Sequence, residues 1–172
     1  MLRIKRADTY LRTAMFATLP REKTAGLVVR YTHHPPDPRI DAAIIDIEHA
    51  KTGRLGIDWH YLVQFDGTLE LCRHPLTRGA VGRDNFTRSH IQIGVVGGRD
   101  RETGKFSETL TTAQRGALEA LYQKLADTLG VPLEIDESLE KYTHKQHEQD
   151  EAAEAELEDR LDRTEALTVG TL

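Results

Sequence analysis

Eight histidines and a single cysteine are the residues of this chain best suited to hold a metal or move a proton. Spacing singles out two pairs. His33 and His34 are adjacent and run into Pro35-Pro36-Asp37-Pro38. His144 and His147 are three apart in a stretch of helix-favouring residues, which sets both on one helix face. Neutral imidazole is a common zinc ligand, so one residue from each pair could build a site. The plainer alternatives are a polar turn at a strand end for the first pair and a solvated helix face for the second. His60, between Trp59 and Tyr61, reads as a core histidine with satisfied nitrogens. His49 reads as a surface residue of a helix. His74 and His90 flank a polar loop and join no constellation. Cys72 follows Leu69 and Leu71 in alternation and reads as a buried, inert thiol; one cysteine excludes an intrachain disulfide.

The elements that would position these residues follow from periodicity. Leu27-Val28-Val29-Arg30-Tyr31-Thr32 is a short apolar, β-branched run and predicts a core strand. The prolines after it cannot continue a ladder. Asp41 can cap a helix with Ala43, Ile44, Ile47 and Ala50 on its apolar face, ended by Gly53 and Gly56. Trp59 to Phe65 predicts a strand that places Trp59 and His60 on opposite faces. Asp66-Gly67 predicts a hairpin, and Thr68 to Cys72 its return. Residues 73–88 form a polar loop, and Ile91 to Gly98 a second core strand ending in glycines. Thr111 or Thr112 caps an amphipathic helix with Ala117, Leu118, Leu121, Leu125 and Leu129 on one face. Strands alternating with helices around one hairpin predict an α/β fold, a mixed central β-sheet flanked by helices.

Length and charge bound the rest. The chain has 172 residues, one ordinary domain, with a net charge of −5. The charge is polarised: residues 1–30 carry seven Lys/Arg against Asp8 and Glu22, while residues 131–172 carry thirteen Asp/Glu against Lys141, Lys145, Arg160 and Arg163. Three regions follow: a basic N-terminal segment over 1–25, a folded domain over 26–136, and an acidic helical C-terminal extension over 137–172. An acidic chain is no natural partner for nucleic acid. No apolar run is long enough to span a bilayer, and Met1 to Leu19 lacks the apolar stretch and cleavage site of a secretory signal. The expected location is cytoplasmic or virion-associated.

Asp58-Trp59-His60-Tyr61-Leu62-Val63-Gln64-Phe65-Asp66-Gly67-Thr68 resembles the strand-hairpin signature of the type 2 N-acetylmuramoyl-L-alanine amidases. Ile93-Gly94-Val95-Val96-Gly97-Gly98 resembles that family's second core strand. Gly104-Lys105-Phe106 and Leu110-Thr111-Thr112-Ala113-Gln114 resemble its loop and helix start. The resemblance covers about residues 26–136, is nearest the small phage-type members, and extends to the peptidoglycan recognition proteins that share the fold.

The resemblance implies a zinc held by a His at the end of the first core strand, a His after the main helix, and a Cys or Asp beyond it. A strand Tyr and a Lys or Thr would assist. Such a zinc keeps one position open for a water of lowered pKa. Counted back from Asp66-Gly67, the first ligand position is Arg30, which cannot ligate a cation. The assisting Tyr position is Trp59, and the second His falls near Asp136. The last ligand has no counterpart around Lys141-Tyr142-Thr143-His144.

The resemblance therefore implies a catalytically degenerate amidase-like domain of phage or prophage origin, with no cofactor. Its expected groove comprises Arg30, Tyr31, Trp59 and Asp136, with Trp59 filling core and Arg30 facing Asp136 as a salt bridge in place of the metal. The expected partner is a protein, a virion component or a host or phage enzyme. Two alternatives stay open: peptidoglycan binding without cleavage, and an active zinc amidase whose ligands have moved to His33, His34, His144 and His147.

Overall fold

The computed structural model describes residues 2–7, 20–21, 23–52, 56–79, 86–129 and 134–137, with backbone alone at 86–87 and 134–137. The expected C-terminal helix, with His144 and His147, and Gly53 lie outside the described residues.

Six strands form one sheet: β1 (Ile4–Arg6), β2 (Gly26–Tyr31), β3 (Tyr61–Val63), β4 (Leu69–Leu71), β5 (His90–Val95) and β6 (Glu134–Glu137). Their order across the sheet is β1-β4-β3-β5-β2-β6. Among the described strands, β3 and β4 pair antiparallel, while β1 with β4, β3 with β5, and β2 with both β5 and β6 are parallel. Among the described residues, three helices pack with the sheet: α1 (Ala42–Lys51), α2 (Phe86–Ser89) and α3 (Thr112–Leu129). The mixed sheet with flanking helices is the architecture that the alternation of elements predicts.

The two inner strands are buried along their whole length, so their sequences are continuously apolar rather than alternating. Side-chain alternation still divides them between two cores. Leu27, Val29, Tyr31, Ile91, Ile93 and Val95 pack with Leu121 and Leu125 of α3 on one face. Ala42 and Ile45 of α1 pack with Ile57, Trp59, Leu62 and Val96 on the other.

The two longer helices, α1 and α3, are set by their caps. Asp41 Oδ1 accepts from the Ile44 N–H at 3.0 Å, as expected of an N-cap. The buried face of α1, however, is Ala42, Ile45 and Asp46, whereas Ile47 is 56% exposed. The expected stripe through Ile47 and Ala50 is rotated because Asp46 turns inward, where its Oδ1 accepts from Ile57 N–H at 2.7 Å. That bond docks the chain leading into β3, and it satisfies a carboxylate that would otherwise be costly to bury.

Thr111 caps α3 through a reciprocal pair: Gln114 N–H donates to Thr111 Oγ1 and Thr111 N–H donates to Gln114 Oε1, each at 3.0 Å. Gln114, 0% exposed, also donates from Nε2 to Val96 O at 2.8 Å, and Thr111 Oγ1 donates to Phe65 O. The start of α3 is thereby tied to β5 and to the hairpin. Gly67 (φ +85°) belongs to the same junction, where a Cβ would lie 2.7 Å from Ala113 O. We expect Gln114→Ala to cost about 2 kcal/mol, since it opens the cap and leaves a buried carbonyl unpaired. Urea unfolding would check this, and a loss below the measurement error would refute it.

The strand β1 arises from residues in the basic segment, where Ile4-Lys5-Arg6 is too short and too basic to give a strand signal. Its anchor is electrostatic: Lys5 Nζ lies 3.3 Å from Glu70 Oε1, whose side chain is 3% exposed. Glu70 Oε2 accepts from Ala42 N–H at 2.8 Å. One carboxylate thus serves both the first strand and the positive end of α1.

Candidate functional site

Arg30 lies on β2, directly opposite Gly94 in the β2–β5 ladder. It is 1% exposed and is among the largest fully buried side chains. Leu27, Val29 and Tyr31 face α3, so alternation turns Arg30 to the α1 face. Trp59 covers the same face: its ring lies where a Cβ on Gly94 would approach to 2.9 Å. Glycine at position 94 is what lets the indole lie against the strand. The described side chain of Trp59 is 6% exposed, and its Nε1 is buried with no hydrogen-bond partner. The indole packs as core with Leu62 and Val96, the expected filling role.

His60 explains how Trp59 reaches that face. The strand β3 begins only at Tyr61, and the strict alternation expected from Trp59 onward breaks at His60. His60 Nδ1 accepts from Gln92 N–H at 2.9 Å, which fixes the ring proton on Nε2; Nε2–H donates to Thr77 O at 2.9 Å. The side chain therefore takes a ladder position of β5 and ties down the loop after β4. Burial pushes its pKa from 6.5 down to about 3, with the neighbouring Arg21 and Arg73 adding to the shift against the hydrogen bonds. It is a neutral core histidine, as its sequence context predicts.

The same loop is held by two buried arginines that the sequence gives no reason to single out. Arg21 donates to His90 O and Pro75 O, and burial lowers its pKa to about 10. Arg73 donates from Nε to Ile57 O at 2.6 Å. Cys72 is buried, and desolvation pushes its thiol pKa up, in keeping with an inert core residue. His49, expected at the surface, is 19% exposed at its side chain and lies 3.7 Å from the buried Asp58.

Of the other expected groove residues, Tyr31 turns away from Arg30 and Trp59, and the side chain of Asp136 lies outside the described residues. Tyr31 lies on the opposite face, where its hydroxyl donates to Glu108 and its ring packs on Phe106 at 6.2 Å between centroids. Asp136 sits in β6 at a register shift, opposite the Leu27/Val28 step and short of Arg30 along the ladder. His33 adopts a left-handed backbone (φ 59°), which turns the chain out of β2. His34 is engaged with α1, its Nε2 2.7 Å from Glu48 Oε2 and its Nδ1 3.0 Å from Thr32 Oγ1. Among the described residues, no group of three His, Cys, Asp or Glu side chains is close enough to hold a metal. The fold's implied zinc therefore does not fit the described donors. Arg30, at the position where the resemblance implies the first ligand, carries a guanidinium, which has no lone pair to give.

Beyond this face, Asp37 joins the loop after β2 to the loop after β5. Its carboxylate accepts from Arg39 Nε at 3.0 Å and Nη2 at 2.7 Å, and from Arg101 Nη2 at 3.4 Å. Nothing in the spacing of Asp37 and Arg101 announces this contact.

Sheet order, crossovers and the helices on either face define an amidase and peptidoglycan recognition protein fold, which solved structures bear out. The endolysin of the Thermus scotoductus bacteriophage Ph2119 superposes with a TM-score of 0.58 at 20% identity, covering 77% of this chain and 83% of that one. An N-acetylmuramoyl-L-alanine amidase endolysin from Clostridium intestinale gives 0.53 at 22% identity over 76% and 78%. A bumblebee peptidoglycan recognition protein gives 0.57 at 15% identity over 74% and 77%. In sequence, the endolysin of Enterobacteria phage T3 is 29% identical over 102 residues, 59% of this chain. The endolysin of Escherichia phage T7 is 29% identical over 101 residues. The matched region spans 66% of each of these endolysins, just under two thirds of its length. No family model matches the chain. The chain therefore has the fold shared by these amidases and peptidoglycan recognition proteins, and its sequence is similar to those of the two phage endolysins. No helix among the described residues is long and apolar enough to cross a membrane.

Proposed function

We propose that this chain is a catalytically degenerate amidase-like domain of phage or prophage origin, which acts by binding rather than by cleavage. Arg30 carries this reading. It stands where the family resemblance implies the first zinc ligand, it is 1% exposed, and it shares the α1 face of the sheet with a buried tryptophan. A hydrolytic metal needs ligands with lone pairs and an open position reached by substrate. A guanidinium buried beneath the sheet's covering layer offers neither. The binding partner is a protein, a virion component or a host or phage enzyme, met through the acidic C-terminal segment or the altered groove.

The endolysin likeness favours a second reading on its own account, peptidoglycan as the ligand without hydrolysis. Sedimentation with purified cell walls separates the two.

The decisive experiment measures zinc per chain in protein purified without chelators or a histidine tag, alongside amide cleavage of purified peptidoglycan. The expected result is zinc near zero in a protein that melts cooperatively, with no cleavage. About one zinc per chain together with cleavage would overturn the proposal and direct attention to the histidine pairs, one of which includes His144 and His147.

A further inference from the structure

We propose that Arg39 and Arg101, set side by side on Asp37, form a binding site for an oxyanion, a carboxylate or a phosphate. This goes beyond the reading above and does not depend on whether the domain keeps a metal.

The site lies where the sheet's connectivity changes direction. From β2 the chain crosses by way of α1 to β3, and from β5 it crosses by way of α3 to β6. The two helices pack on opposite faces. β2 and β5 are adjacent and parallel, so the loops beyond their carboxyl ends part in opposite directions. In open α/β sheets this switch point is where ligands bind. Here each parting loop contributes one arginine, Arg39 from the first and Arg101 from the second.

The arginines are oriented, not merely near one another. Arg39 meets the Asp37 carboxylate through two nitrogens, Nε at 3.0 Å and Nη2 at 2.7 Å. Arg101 Nη2 donates to Pro36 O at 2.8 Å and reaches Asp37 Oδ2 at 3.4 Å. Nη1 of Arg39 and both Nε and Nη1 of Arg101 take no part in these bonds. The arginine side chains are 81% and 58% exposed, whereas that of Asp37 is 13% exposed. The carboxylate therefore lies beneath, and the guanidinium donors are presented to solvent. One negative charge against two positive leaves a local excess of one, in a chain whose net charge is −5. Planar forks fixed in this way suit the paired oxygens of a carboxylate or phosphate, because little rotamer freedom remains to be lost on binding.

The test follows the arginine Nε–H signals of the 15N-labelled full chain by NMR at low ionic strength. Inorganic phosphate is titrated in one arm and a blocked triglutamate peptide in the other. We expect saturable shifts at Arg39 and Arg101 with a Kd of about 1 mM or tighter in at least one arm. Saturation by phosphate alone assigns phosphate; saturation by the peptide alone assigns carboxylate. Arg39→Gln and Arg101→Gln should each weaken binding about tenfold, with unchanged melting. Asp37→Asn should also weaken binding by about threefold, although it adds a positive charge, because it frees the forks. No saturation in either arm would overturn the proposal. So would shifts that survive Arg39→Gln, the mark of an adventitious ion only, or tighter binding by Asp37→Asn, the mark of unoriented charge.

Discussion

Replacing His60 with alanine lowers the stability of the fold by about 4 kcal/mol and removes part of its sensitivity to acid. Two physical losses add here. Gln92 N–H and Thr77 O lose their imidazole partners at 2.9 Å in the interior, and a cavity opens at a site that is 0% exposed. The pH dependence follows from the ring's neutrality. Its folded pKa is about 3, below the ordinary 6.5. Above pH 6.5 both folded and unfolded chains hold the neutral ring, and the stabilisation is complete. Below it the unfolded chain takes up a proton that the folded chain refuses. Stability then falls by at most about 1.4 kcal/mol per pH unit until the pH nears 3. Urea unfolding at pH 7.5, 5.5 and 4.5 should show the wild type losing stability faster than His60→Ala. Parallel losses in the two proteins would show that His60 does not govern this acid limb.

Arg30→Ala should lower stability by about 3 kcal/mol, a drop in Tm of about 10 °C for a domain of this size. The side chain is 1% exposed, and its removal leaves space that the rigid ladder to Gly94 cannot collapse to fill. Arg30→Met separates two contributions. If volume alone matters, methionine restores most of the loss. If the buried cation holds a charged network in place of the metal, as a structural plug, methionine restores little. An unchanged melting temperature for Arg30→Ala would refute the plug altogether.

These two residues mark the limits of what could be read in advance. The apolar run of β2, the Asp66-Gly67 turn and the heptad-like leucines of α3 were legible because burial and turn geometry act locally on residue type. His60 was legible for the same reason, as an imidazole between apolar neighbours. The face of α1 was not, because Asp46 is drawn inward by a backbone donor eleven residues ahead, a partner that no helical periodicity reveals. Nor was β1 legible, since its charged residues are held by Glu70, buried on a strand distant in sequence. The candidate site divides in the same way. Counting from the hairpin singles out Arg30 and Trp59, whereas the pairing of Asp37 with Arg101 depends on two loops that meet only once the sheet has formed.

The ladder of β2 has a consequence for the order of events during synthesis. Among the described strands, only the β3–β4 hairpin joins neighbours in sequence; β2 waits for β5 and then for β6, the last described strand. A ribosome therefore releases the hairpin early and completes the sheet last of all. Until residues 134–137 emerge, β2 presents a row of unsatisfied backbone groups along an apolar strand. This nascent edge is the interval in which the protein is most exposed to aggregation and most in need of a chaperone.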